Sequence, residues 1–253
     1  MLRVRIIPTL LLFETGLVKT VKFLKHQYVG DPVNTCRIFN EFEVDELCFL
    51  DIMASIRKKL PDYELLKEIS SECFMPVSYG GGIDSVKKAE QIFKIGFEKV
   101  VLNTATFTNP QLITEIASIF GSQSVVVAVD VKKNLWGRYE VYGRHGTINY
   151  KKNPSDWVKE VESLGAGEIL LTNIDKEGTW KGFDIELIKS VTSCTSLPLI
   201  AHGGAGRIED IQFAVKQGKA SAVALGSMVV YQQRGMGVLI NFPQRATIES
   251  ILN

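Results

Sequence analysis

Three aspartates in this sequence follow apolar runs, and two glycine clusters follow others. Asp130 ends VVVAVD, Asp51 ends CFLD and Asp175 comes just after LLTNI. A carboxylate at the end of a strongly apolar run is partly desolvated, which raises its pKa toward the range useful for proton transfer. Asp130 is therefore the acid/base candidate. Asp51 and Asp175 read equally as loop anchors or as substrate contacts. Gly80-Gly81-Gly82 precedes Asp84-Ser85, and Gly203-Gly204-Ala205-Gly206 precedes Arg207. Glycine lets the backbone approach a ligand, and free N–H groups at a helix start favour an anion. One such run implies no more than a tight turn. Two runs, joined by the amide and hydroxyl donors of Asn103-Thr104 and Gly226-Ser227, point to two phosphate sites. Those fit a ligand with phosphates at both ends, or descent from a protein that bound one. At the opposite ends of the apolar runs stand Arg5, Glu46, Lys99 and Glu168, alternating in sign. They read either as a solvated rim or as a salt-bridged ring.

Positioning these groups takes a regular scaffold. Continuous apolar runs of strand length occur at Val4–Leu12, Glu46–Ile52, Pro76–Tyr79, Lys99–Leu102, Ser124–Val131, Glu168–Thr172, Pro198–Ala201 and Ala220–Ala224. Such runs suit strands covered on both faces of a parallel sheet. Amphipathic helical periodicity fills the gaps at Tyr63–Cys73, Val86–Ile95, Pro110–Phe120, Ser155–Leu164, Asp184–Thr192 and Ile208–Gln217. Asn109-Pro110 and Asn153-Pro154 supply an N-cap before a first-turn proline. Eight strands with intervening helices and no linker predict one α/β domain, a (β/α)8 TIM barrel. DELCFLDI at Asp45–Ile52 resembles GEILLTNI at Gly167–Ile174, offset by 122 residues. PVSYGGG at Pro76–Gly82 resembles PLIAHGGAG at Pro198–Gly206, and LNT at Leu102–Thr104 resembles LGS at Leu225–Ser227, at nearly the same offset. The barrel is thus expected to be two tandem (β/α)4 halves, about 1–122 and 123–253. The first-half counterpart of Asp130 falls in Thr9-Leu10-Leu11-Leu12, which holds no ionisable group. A doubly wound dinucleotide fold would need GxGxxG after the first strand, and Leu10–Gly16 does not supply it.

Composition narrows the partners. The 253 residues are 45% hydrophobic and 23% charged, and 29 basic residues against 28 acidic give a net charge of +1. That balance gives no electrostatic reason to expect nucleic acid or an anionic membrane. No apolar run reaches the ~20 residues of a membrane span, and the N-terminal MLRVRIIPTLLLF reads as a strand. Cys36, Cys48, Cys73 and Cys194 form no CxxC, and His26, His145 and His202 have no metal-ligand spacing. Reduced cysteines, a cytoplasmic location, and no metal or cofactor are expected.

Several motifs carry a family resemblance over essentially the whole chain: RII at Arg5–Ile7, GDPV at Gly30–Val33, VDELCFLDI at Val44–Ile52, YGGGI at Tyr79–Ile83, LNTA at Leu102–Ala105, NPQLITEIASIFGSQSVVVAVD at Asn109–Asp130, GAGEILL at Gly165–Leu171, DKEGT at Asp175–Thr179 and GGAG at Gly203–Gly206. The chain resembles the cyclase subunit of imidazole glycerol phosphate synthase. That family is a two-half (β/α)8 barrel paired with a glutaminase, whose ammonia enters the barrel floor and attacks a bisphosphorylated ribulosyl imidazole-carboxamide at the other face. The resemblance implies that Asp130 is the fifth-strand acid/base. It places Gly82, Asn103 and Thr104 at one phosphate and Gly204, Ala205 and Ser227 at the other. It assigns Arg5, Glu46, Lys99 and Glu168 to a gate over the ammonia entrance, and Lys19 to a loop covering substrate. Asp51, Asp175 and Glu177 are further substrate-side candidates.

The departures are specific. Leu11 occupies the place of the family's first-strand catalytic aspartate and cannot transfer a proton. The acidic residue of the sixth-strand loop is Glu177, and a small residue before the second glycine pair is His202. LFETGLVKT at Leu12–Thr20 departs from the usual first-loop pattern. PTLLL at Pro8–Leu12, GLVKT at Gly16–Thr20, ECFMPVSYGGGI at Glu72–Ile83 and VLINFP at Val238–Pro243 resemble a paralogous branch associated with surface-polysaccharide pathways. There the barrel and its glutaminase are thought to feed ammonia to an ATP-dependent amidotransferase that makes acetamidino sugars. The resemblance thus implies an ammonia-channelling subunit. The alternatives are a true cyclase of histidine biosynthesis and a catalytically inert conduit.

Overall fold

The computed structural model describes residues 3–252. Eight parallel strands form its centre: β1 (Arg5–Phe13), β2 (Leu47–Asp51), β3 (Val77–Gly80), β4 (Lys99–Leu102), β5 (Val125–Lys133), β6 (Glu168–Asn173), β7 (Leu199–His202) and β8 (Ala222–Leu225). Each pairs with its neighbour in chain order, and β8 pairs with β1 to close the sheet. This is the expected (β/α)8 barrel.

Strand alternation sorts the side chains. Ile6, Leu10 and Leu12 of β1 join the large core beneath the helices, while Ile7 belongs to a separate cluster inside the barrel. That inner cluster also holds Cys48, Val101, Val126, Ala128, Leu170, Ile200, Ala222 and Ala224. The charged residues at the strand starts and the polar residues at the strand ends occupy the same inward register. The sequence reading of these runs as buried on both faces therefore holds.

The outer layer consists of α1 (Pro32–Glu41), α2 (Tyr63–Glu72), α3 (Val86–Ile95), α4 (Gln111–Phe120), α5 (Pro154–Ser163), α6 (Ile185–Thr192), α7 (Ile208–Gln212) and α8 (Arg245–Leu252). The starts of α1, α2, α5 and α6 are set by side-chain caps. Asp31 accepts from Asn34 N at 2.8 Å, Asp62 from Leu65 N at 3.1 Å and Asp184 from Leu187 N at 3.1 Å. Asn153 accepts from Ser155 N at 2.9 Å, as expected of an N-cap before proline. Asn109 does not cap α4: Pro110 takes the cap position without a side-chain bond. The helical pattern read over Ile208–Gln217 breaks into α7 and a π-helical turn at Phe213–Gln217. Helices α1 and α8 are additions to the sequence reading.

Two antiparallel hairpins rise from the C-terminal mouth. One joins Gly16–Val21 to Leu24–Gly30 and extends β1; the other joins Tyr139–Gly143 to Ile148–Asn149 and extends β5. Neither has the Asn-Gly signature of a tight hairpin. Lys22 and Phe23 take positive φ in the first turn, and Arg144 and His145 do so in the second. Residues Leu24–Tyr28 are exposed throughout, so no apolar alternation marks their strand.

Candidate active site and barrel floor

At the N-terminal pole the four charged residues meet. Arg5 Nη1 donates to Glu46 Oε2 at 2.7 Å, and Arg5 Nη2 lies 2.9 Å from Glu168 Oε1. Lys99 Nζ donates to Glu46 Oε2 at 2.9 Å and lies 3.3 Å from Glu168 Oε2. Each cation bridges both carboxylates, so the ring is closed. The solvated-rim reading is thereby excluded. Burial disfavours the charged Arg5, but Glu168 and Glu46 outweigh it and hold the guanidinium above its ordinary value. Glu46 also lines a small internal void with Ile7, Thr9, Cys48, Ser78 and Leu170, just above the ring.

The opposite pole holds a cavity of about 520 Å³. Leu11, Asp51, Gly82, Asn103, Thr104, Asp130, Thr172, Glu177 and His202 line it. Asp130, partly buried, receives a hydrogen bond from Asn103 Nδ2 at 3.3 Å, and the same amide donates to Ala128 O at 2.9 Å. Desolvation pushes the Asp130 carboxyl up to about 7, with the Thr172 hydroxyl opposing as a donor. That is the range a proton-transfer group needs at neutral pH. Leu11, 5% exposed, presents only methyl groups to the same space.

The first glycine-rich end opens directly into this cavity. Gly82 has φ +65°, and a side chain there would press on Lys59 O and Ala54. Lys58 and Lys59 line the same corner, and Lys88 Nζ donates to Gly82 O at 3.1 Å. Thr104 Oγ1 donates to Asn103 Oδ1 at 3.2 Å and accepts from Arg144 N at 2.9 Å. Sequence reasoning missed the three lysines. Lys58-Lys59 stands in a loop after the short helix Ala54–Arg57, with nothing in its spacing to aim it inward.

The second end is different. Gly204, Ala205 and Ser227 line a void of only about 10 Å³, together with Lys19, Glu177, Gly203, Gly226 and His202. Lys19 is 3% exposed although it sits on a hairpin strand, and burial pulls its pKa down against the field of Glu177. Its Nζ lies against Gly226, where any side chain would collide with it. His202 is buried, held neutral by desolvation and by Lys19, with its pKa near 3.

The remaining carboxylates divide. Asp51 Oδ1 accepts from Met53 N and Ala54 N, both at 2.9 Å, and also reaches the cavity wall; desolvation raises its pKa despite those bonds. Asp175 is outside the cavity lining. Its Oδ2 accepts from Lys133 N at 3.0 Å, so of its two readings the loop anchor is the one seen. Glu177 Oε2 accepts from Phe23 N at 3.1 Å, and its carbonyl accepts from Lys22 N at 3.0 Å. Those bonds tie the first hairpin across the mouth. Over them, Phe23 stacks on His145 with centroids 5.0 Å apart, and both rings line the cavity.

Comparison with known proteins places the chain in a family. Residues 5–234 match the model of the histidine biosynthesis protein family. The chain belongs to that family, among the HisF-like cyclase subunits of imidazole glycerol phosphate synthase. It is 49% identical over 243 residues to the Pseudomonas aeruginosa protein named "Putative imidazole glycerol phosphate synthase subunit hisF2", covering 96% of this chain and 97% of the relative. A Leptospira interrogans protein with the same type of name, HisF, is 44% identical across 99% of both chains. The imidazole glycerol phosphate synthase subunit HisF of Alkaliphilus metalliredigens is 42% identical over 92% of both. Among the described residues no helix is long and apolar enough to cross a membrane. No group of three or more His, Cys, Asp or Glu there is disposed to hold a metal ion.

Proposed function

We propose that this HisF-family subunit conducts ammonia from a glutaminase partner on its N-terminal pole to its C-terminal mouth. The ammonia then serves acetamidino-sugar formation in surface-glycan biosynthesis, through an ATP-dependent sugar amidotransferase. The observation that carries the reading is the pairing of a complete charged ring with an incomplete acid/base pair. Glu168 and Thr172 lie on the same face of β6, about 13 Å apart at ~3.3 Å per residue. A neutral ammonia molecule that passes the ring therefore has a short, mostly apolar interior to cross before it meets Thr172 and Asp130. Four desolvated charges cost more than an apolar plug would, and barrel floors normally serve stability. A gate for a small polar molecule explains the expense.

A second reading, cyclisation of the bisphosphorylated imidazole precursor in histidine biosynthesis, draws on Asp130 alone. Its carboxyl near 7 suits general acid/base work, but Leu11 supplies no partner for two-group proton transfer.

The test uses the barrel with its glutaminase and isotopically labelled glutamine. Lys99→Ala should leave glutamine hydrolysis running while transfer of the label to the sugar acceptor drops at least tenfold. Equal transfer in Lys99→Ala and Glu168→Ala, with no partner protection of this pole in hydrogen exchange, would make the ring structural.

A further inference from the structure

The two glycine-rich ends are repeat mates in sequence, yet only one is open. The first faces a cavity of about 520 Å³; the second faces about 10 Å³. A void of that size holds one water molecule at most, and a phosphate group has five heavy atoms. His202 and Glu177 line both spaces and form the partition between them. The second space is filled by Lys19, whose ammonium rests on Gly226 and makes no hydrogen bond among the described residues. The hairpin that carries Lys19 is fixed, because Lys22 N and Phe23 N both bond to Glu177. The ammonium thus stands where the second phosphate of a bisphosphate would be received, and supplies the positive charge without the room. At the first end the cations are arranged otherwise: Lys58 and Lys59 stand at the cavity wall beside Gly82, and space is left between them and Asn103.

We propose that the mouth is a single-anion site, taking a compact phosphomonoester at Gly82, Asn103 and Thr104, with Lys19 and His202 closing the second phosphate position. The proposal rests on the reading of the first glycine-rich end as a phosphate site. It makes His202 a specificity-determining residue, since its imidazole occupies the passage by which the second anion would enter.

Inorganic phosphate titrated into the full-length protein at pH 8, followed by calorimetry and phosphorus NMR, should saturate at one equivalent. Ribulose 5-phosphate and ribulose 1,5-bisphosphate, used as probes, should bind within about threefold of each other. His202→Ser should admit a second equivalent of phosphate and favour the bisphosphate at least tenfold. Two equivalents in the wild type, or a tenfold wild-type preference for the bisphosphate, would overturn the single-anion proposal and leave the first phosphate site standing. Absence of any phosphate binding, or binding untouched by Thr104→Val and Lys59→Ala, would overturn the phosphate-site reading and the proposal with it. Should His202→Ser not fold, the wild-type stoichiometry and probe ratio decide alone.

Discussion

Thr172 Oγ1 and His202 Nδ1 lie 3.2 Å apart, and Thr172 stands opposite Asp130 in the pairing of β5 with β6. The Thr172 hydroxyl is also the group that opposes the rise of the Asp130 pKa. The other ring nitrogen of His202, Nε2, faces Gly226 and Lys19. Thr172 thus stands between the closed end of the mouth and its acid/base candidate.

This arrangement predicts opposing pH dependences. Asp130 is raised from 3.8 to about 7, so between those values the folded protein binds more protons there than the unfolded chain. That contribution makes stability fall as pH rises. His202 is lowered from 6.5 to about 3, so in that window the unfolded chain binds more protons and stability rises with pH. The two nearly cancel from about pH 4 to 6.5 in the wild type. Asp130→Asn should steepen the rise over that range and leave the variant more stable at pH 8, by up to roughly 4 kcal/mol. His202→Ser should instead give stability that falls with pH. Denaturation midpoints between pH 4 and 8 measure both.

At the floor, Glu46 accepts from both cations through one oxygen, and its side chain is only 4% exposed. Glu46→Ala leaves Arg5 and Lys99 to share Glu168. Removing one partner of a buried charge network costs about 3–5 kcal/mol, and chemical denaturation should show a loss at the lower end of that range because Arg5 is part-exposed. Glu46→Gln, which keeps the shape and one acceptor oxygen, should lose less. Equal losses in the two variants would show that the carboxylate charge alone, not the shape or the remaining acceptor oxygen, holds the floor.

Much of this was legible in the sequence because alternation in a strand is local. Arg5, Ile7, Thr9 and Leu11 share one face of β1 by spacing alone, so the charged ring and the missing carboxylate follow from counting. The glycine clusters at Gly80 and Gly203 are likewise visible as strings. What separates them is not. Lys19 reaches the second cluster because a hairpin with no apolar alternation and no glycine turn folds over it, anchored by Glu177 more than 150 residues away in the chain. The stacking of Phe23 on His145 joins two such hairpins, and His202 reads as a single substitution until its ring is seen to line two spaces at once. The anchoring role of Asp175 is of the same kind, since its partner Lys133 lies on a neighbouring strand extension.

The roof formed by Phe23 and His145 predicts a kinetic effect. The rings are nearly parallel, 6° between planes, and they are carried by different hairpins. Phe23→Ala removes the stack but keeps the backbone bond from residue 23 to Glu177. Amide exchange in residues 16–30 should accelerate severalfold, and dissociation of a bound phosphomonoester should quicken more than its association. Unchanged exchange there would mean that Glu177 alone holds the hairpin down.

Leu11 gives the sharpest test of what the mouth can do. It and Asp130 line one cavity from different strands, and nothing at Leu11 can carry a proton. Loss of one member of an acid/base pair costs ~10²–10⁴-fold, so the wild-type barrel with ammonium salt and the bisphosphorylated imidazole precursor should form negligible product. Leu11→Asp restores a second carboxylate at the same height. Placing that charge where Leu11 is 5% exposed should destabilise the fold by about 1–3 kcal/mol, and like-charge repulsion should raise the Asp130 carboxyl further. The single-anion mouth adds a second requirement, because the precursor carries two phosphates. Leu11→Asp alone should therefore recover little turnover, and Leu11→Asp combined with His202→Ser should recover more than the product of the two single effects. Robust product formation by the wild type would reverse the assignment and make this barrel a cyclase. Full recovery by Leu11→Asp alone would show that the second phosphate position opens without His202 being moved.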